Sequence, residues 1–163
     1  MKVGIMSDSH DNVPNIRLAI NLFRDEGVGQ IIHAGDLVAP FAVKAMANAS
    51  APIYAVYGNN DGEKAGIKAA FEGFGVVVPQ VGIIACDGVK FAVMHEPENL
   101  SHDLVKRRLV QVAVYGHTHQ KDLYEKDGVI IINPGEAGGW VSGHSTVAIF
   151  DTTTMETRFV ELQ

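Results

Sequence analysis

The sequence has one cysteine, Cys86, so it forms no internal disulfide, and a reducing compartment is the expected setting. No charged-then-apolar leader precedes the first strand, which adds to the expectation of a cytoplasmic protein. Its apolar runs reach only about five to eight residues, where a membrane-crossing helix needs about 18 to 20, so no membrane association is expected. Basic runs are missing too: 13 Lys+Arg stand against 19 Asp+Glu, for a formal charge of −6. Duplex nucleic-acid affinity rests largely on cations that neutralise phosphates, so stable duplex binding is not expected. With 47% hydrophobic and 20% charged residues, the chain has the balance of an ordinary globular protein and not of a disordered one. Its 163 residues suit one domain, 1–163, able to bury a full core.

Residues 2–7, KVGIMS, read as a buried strand ending at Asp8. A helix over 13–26 follows, with Asn12 as cap, Pro14 in the first turn and Ile16, Ile20, Leu22 and Phe23 as its apolar stripe. QIIHA (30–34) with a helix over 39–49, and PIYAVY (52–57) with a helical stretch reaching Phe74, repeat the unit. Three strand–loop–helix units predict a parallel sheet with right-handed crossovers. VGIIAC and VKFAVM flank Asp87-Gly88, a dipeptide suited to a type I′ hairpin turn, so these strands are expected to be antiparallel. A short polar helix near 100–108, the strand QVAVY (111–115) and four further strands, KDLYEK, VIIIN, STVAIF and ETRFVEL, complete the chain.

Five apolar strands are followed at once by polar residues able to hold a metal: Asp8 and His10, Asp36, Asn59, His95, then His117 and His119. In open α/β sheets ligands collect beyond the carboxyl ends of strands, so these positions can converge. Asp8/His10 and His117/His119 are spaced i, i+2, which in an extended segment sends both side chains to one side. Four imidazoles, two carboxylates and one amide suit Mn, Fe, Co, Ni or Zn more than Ca. The lack of thiolate argues against a structural zinc site. Seven donors exceed one tetrahedral ion but serve two if a carboxylate is shared, and Asp36 is the candidate bridge. Two ions about 3.5 to 4 Å apart can activate a hydroxide and stabilise in-line displacement at phosphorus.

The motifs DSH, GD, GNND, a strand-terminal His95 and GHTH, in this order, resemble the calcineurin-like metallophosphoesterase superfamily. The MSDSHDN opening and the late INPGE segment resemble its compact bacterial and archaeal phosphodiesterases of the YfcE type, relatives of the retromer subunit Vps29. The resemblance implies an α/β fold, a four-layer αββα sandwich of two mixed sheets. It implies that Asp8, His10 and His119 hold one divalent ion, with Mn2+ preferred, that Asn59, His95 and His117 hold the other, and that Asp36 bridges. A bridging hydroxide would then be the nucleophile, with a small phosphodiester as substrate and inversion at phosphorus.

Two departures stand out. Many relatives read GNH where this chain has Asn60 before Asp61, so the usual catalytic imidazole is missing and diesters are favoured over alkyl monoesters. Asn60 becomes the candidate catalytic donor to the developing phosphorane charge, a role of about 2 to 4 kcal/mol in oxyanion-hole geometry. After His95 many relatives continue Gly-His, where this chain has Glu96-Pro97, and Glu96 is a candidate hydrogen-bond acceptor beside a ligand. His33 reads as a buried, hydrogen-bonded histidine and His102 as part of a solvated face. Asn133-Pro134-Gly135 reads as a turn, and His144 and Trp140 as packing or surface. A Vps29-like scaffold and a phosphomonoesterase are the alternatives, and a homo-oligomer is compatible with either.

Overall fold

In the computed structural model, which describes Met1–Gln163, every apolar run noted above becomes a strand. The first sheet is built from β1 (Lys2–Met6), β2 (Gln30–His33), β3 (Ile53–Val56) and β4 (Gly75–Val78), all parallel. The connecting helices are α1 (Val13–Asp25), α2 (Pro40–Lys44) and α3 (Lys64–Ala70). A second sheet follows from β5 (Val81–Cys86), β6 (Val89–Met94), β7 (Val112–Val114), β8 (Lys121–Lys126) and β9 (Val129–Pro134), with α4 (His102–Lys106) between β6 and β7. The chain then returns to the first sheet with β10 (Thr146–Asp151) and β11 (Glu156–Glu161).

The strand orders are β11-β10-β1-β2-β3-β4 and β5-β6-β7-β9-β8. β10 lies antiparallel beside β1, with Val3 opposite Phe150. In the second sheet β6, β7 and β9 are parallel, flanked by the antiparallel hairpin partners β5 and β8. Asp87 and Gly88, at φ 51° and 83°, make the expected left-handed hairpin turn.

Strand alternation sorts the side chains into three apolar layers. Val3 and Ile5 point between the sheets with Ile32, Val93, Val114, Ala148 and Phe150. There Phe91 meets Phe150 edge to face at 5.4 Å, a preferred aromatic geometry. Met6, Ile31 and Ile149 face the other way, against Ile16, Ile20 and Phe23 of α1 and Val43 of α2. Gly4 is required here, because a β-carbon would lie 2.8 Å from the Phe23 ring. Ala92, Ala113 and Ile131 pack outward onto Val105 of α4. The order is helix, sheet, sheet, helix, the expected four-layer sandwich.

Helix α1 starts as expected, with Asn12 Oδ1 accepting from the Asn15 N–H. The second and third helices are shorter than their sequence pattern suggests. Residues 46–49 continue α2 only as i to i+3 turns, and Gly73, at φ 93°, follows the end of α3. β4 is a strand that the sequence reading passed over. No helix is long and apolar enough to cross a membrane.

Candidate metal centre

The parallel strands of both sheets end at one edge, and the loops leaving them are stitched together by backbone hydrogen bonds. Asp8 N donates to Gly35 O and His10 N to Asp36 O, joining the first two loops. Gly116 N donates to His95 O within the second sheet, and Gly138 N donates to Asp8 O across the two.

All seven sequence-predicted ligands meet there. Asp8 Oδ1 lies 3.8 Å from His10 Nε2 and 3.5 Å from His119 Nε2, and the His10 and His119 rings stack at 5.2 Å. On the other side Asn59 Oδ1 lies 2.9 Å from His95 Nε2 and 3.0 Å from His117 Nδ1. Asp36 joins the halves, its Oδ2 being 3.4 Å from His10 Nε2 and 3.4 Å from His95 Nε2. The imidazoles do not converge through extended backbone, as the i, i+2 spacing suggests. Asp8, His10, Asp36, His117 and His119 have φ of 52°, 41°, 59°, 68° and 59°, all left-handed. Asp tolerates that region better than most residues, and Asp8 is held there by a bond from a distant loop, its carboxylate accepting from the His117 N–H at 3.1 Å.

The donors fit divalent cations. His10 Nε2 is buried, faces the Asp8 and Asp36 carboxylates, and has no hydrogen-bond partner, which is the condition of a ligand atom. His95 Nδ1–H donates to Ala34 O at 2.8 Å, which turns the Nε2 lone pair toward Asp36 and Asn59. The set is nitrogen and oxygen only, and two three-residue groups, Asp8/His10/His119 and Asp8/Asp36/His95, are compact enough for one ion each.

Electrostatics agree with this arrangement. Burial pushes the Asp36 carboxyl up, yet His95 and the Asn60 donors hold it well below the usual carboxylate range. The neighbouring Asp8 carboxylate raises His10 against the opposing effect of burial. Burial lowers His95, but contact with Asp36 outweighs it and the value is raised. Ligation needs neutral imidazole, so protons compete with cations here as pH falls.

Asn60 sits at the exposed edge of the centre, its N–H and Nδ2 donating to the two Asp36 oxygens at 2.9 and 2.7 Å. Glu96 accepts from Asn99 Nδ2 and contacts no ligand side chain. His102 is exposed at the start of α4. His33 is fully buried, with the Gly35 N–H donating to Nδ1 and Nε2 lying 3.0 Å from Ser9 Oγ, which assigns the proton to Nε2.

Three residues that hold the ligands escaped the sequence reading. Asp61 is buried and accepts N–H bonds from Gly58, Val38 and Asp36, tying the GNND loop to the GD loop. Asn133 Nδ2 donates to Gly116 O and Thr118 Oγ1, pinning the GHTH loop. Glu136 is fully buried, with Oε2 3.3 Å from His119 Nδ1. Burial pushes its carboxyl up, but the N–H groups of Ser142 and Val141 and the nearby His119 hold it at about 2. Asp61 closes the GNND motif, and Asn133 and Glu136 belong to the INPGE segment, so all three lie in segments already singled out; what the sequence did not show is that they support the ligands.

Burial lowers His33 to about 4. Between the unfolded value near 6.5 and that point the unfolded chain binds a proton and the native chain does not, so stability falls as pH drops. The loss reaches about 3 kcal/mol by pH 4. Urea unfolding of the chelator-treated protein at pH 7.5 and 4.5 is expected to show this slope, and His33→Gln to lose most of it. Parallel slopes would contradict the assignment.

Residues 1–155 match the family model of the calcineurin-like phosphoesterase superfamily domain. The chain is 40% identical to a phosphodiesterase of Methanocaldococcus jannaschii over 166 aligned residues, spanning 100% of both proteins. Among solved structures it is similar to an archaeal phosphodiesterase, with TM-score 0.93 and 40% identity, covering 99% of this chain and 100% of that one. It also shares its fold with YfcE, a phosphoesterase from E. coli, at TM-score 0.74 and 20% identity over 100% of both.

Proposed function

This chain belongs to the calcineurin-like phosphoesterase superfamily, and from that premise we propose that it is a metal-dependent phosphodiesterase with a dinuclear centre. The observation that carries the proposal is the position of Asp36, whose Oδ2 is equidistant, at 3.4 Å, from an imidazole of each ligand group. Asp8, His10 and His119 would hold one ion, Asn59, His95 and His117 the other, and Asp36 both. Such ions supply Lewis acidity, which makes water nucleophilic at neutral pH and neutralises charge on the phosphoryl group.

The side chains around the ions bind and orient. Ala34 O sets the rotation of His95, the Glu136 carboxylate lies 3.3 Å from His119 Nδ1, and Asp61 fixes the backbone that presents Asp36 and Asn59. Two cavities flank the centre, about 350 Å³ beside His119, Lys121 and His144 and about 280 Å³ beside Asn59, His95 and Lys64. That leaves room for an organic group on each side of a phosphorus, as a diester requires. With no further imidazole at position 60, a poor leaving group receives little help, which again favours diesters with stable leaving groups. Asn60 Nδ2, which donates to the Asp36 carboxylate, would stand at the edge where phosphoryl oxygens arrive.

The test is to strip the protein with chelator, restore Mn2+, Ni2+, Co2+, Zn2+ or Mg2+ separately, and compare an aryl phosphodiester with the corresponding monoester. Turnover is expected to vanish on stripping, to return with a transition metal, and to favour the diester. Metal-independent turnover would refute the reading. Asn60→His is expected to shift the monoester-to-diester ratio upward, about tenfold or more if an added general acid acts at the leaving oxygen. An unchanged ratio removes position 60 from the explanation of specificity.

A further inference from the structure

We propose that Trp140 is an aromatic platform that stacks a planar group carried by the phosphoester, a nucleobase or an aryl ring, and so sets the substrate class of the metal centre. The proposal rests on the phosphodiesterase reading and adds the chemistry of the organic arm.

The indole is 67% exposed and its neighbour Val141 is 75% exposed, so neither is a packing residue. An exposed aromatic ring ordinarily has free rotation, yet this one is fixed. Its Nε1–H donates to the backbone oxygen of His10, a ligand residue, at 3.1 Å. Its backbone N–H donates to Glu136 Oε1 at 2.7 Å, and the other oxygen of that carboxylate lies against His119. The ring rests over Gly138, where a β-carbon would come 3.1 Å from Trp140 Cδ1 and 3.0 Å from the carbonyl oxygens of Asp8 and Ser9. One buried carboxylate thus holds the backbone of the exposed indole's residue and lies against a ligand imidazole. The same loop walls the cavity beside His119 through Ser142 and His144.

An exposed ring tethered through its Nε1–H to a ligand residue's backbone is partly preorganised for stacking, because part of the rotational freedom that binding would remove is already lost. Each cavity beside the centre contributes one lysine, Lys121 or Lys64, and no arginine, so affinity for the organic arm has to come from contacts other than ion pairing. Stacking of a base on an aromatic side chain contributes about 5- to 150-fold in affinity.

Trp140 is the sole tryptophan, so its fluorescence reports on this position alone. Acrylamide quenching of the metal-loaded protein is to be measured with no ligand, with saturating adenosine 5′-monophosphate, with phenyl phosphate and with methylphosphonate. The nucleotide or phenyl phosphate is expected to shield the indole, and methylphosphonate to leave it accessible. Shielding by the nucleotide alone selects a nucleobase; shielding by both selects any planar ring. If the nucleotide inhibits diester hydrolysis competitively while the indole stays accessible, the platform is refuted and the metal-centre reading stands. If turnover needs no metal, that reading falls first. Protection that grows with protein concentration in the absence of ligand would place Trp140 between copies of the chain and refute the platform too. In kinetics, Trp140→Ala is expected to raise KM for bis(4-nitrophenyl) phosphate about tenfold with kcat held, and Trp140→Phe to restore most of it. An equal fall in kcat in both variants would show a structural role instead.

Discussion

Asp36→Ala is expected to lower phosphodiester turnover about a thousandfold or more and to reduce the metal content of the loaded protein below the proposed two ions per chain. Asp36 is the one carboxylate within 3.4 Å of an imidazole from each ligand group, so its loss opens both halves at once. The fold is expected to survive. The variant leaves two Asn60 donors without their acceptor, a cost of about 1 kcal/mol each at a position near solvent, and the sandwich layers do not depend on this carboxylate. Elemental analysis and far-ultraviolet circular dichroism on the same sample separate loss of the centre from loss of the fold. Full activity, or retention of both ions, would contradict the assignment of Asp36.

Gly58→Ala is expected to lower turnover about a hundredfold without removing any functional side chain. A β-carbon at Gly58 would overlap Asp36 Oδ1 and lie 2.5 Å from Asp36 N. The carboxylate or the backbone behind it must move, and backbone held by Asp61 has little room to do so. Overpacking of this kind costs about 1 to 3 kcal/mol, and here the displaced group is the proposed bridge. The check is metal affinity by equilibrium dialysis alongside turnover. Parent-like values for both would show that the GNND loop relaxes freely.

The strand-end positions of Asp8, Asp36, Asn59, His95 and His117 were legible because an apolar run stops at each, and parallel strands bring such stops to one edge. The layer order came only through the resemblance that the motifs carry; the residue pattern by itself gave a parallel sheet followed by an antiparallel hairpin. Sheet membership of the last strands was not. STVAIF and ETRFVEL follow VIIIN in sequence, yet β10 pairs with β1, some 145 residues earlier, through a register that no local pattern specifies. β4 was missed because GVVV is separated from VGIIAC only by Pro79-Gln80, so the two strands merge into one apolar stretch in the sequence. Glu136 was missed because its importance comes from where the next loop folds: three consecutive N–H groups, of Trp140, Val141 and Ser142, wrap its carboxylate. The handedness of the ligand backbone was equally hidden, since His and Asp identities permit a left-handed φ without demanding it.

That handedness has an evolutionary side. Each non-glycine residue held at positive φ costs the fold about 1 to 2 kcal/mol, and five ligand positions share this condition. A lineage released from hydrolysis gains robustness when one of the three histidines among them drifts to glycine or asparagine, while the layers beneath are untouched. Erosion of the centre then runs downhill, and the architecture outlives its chemistry.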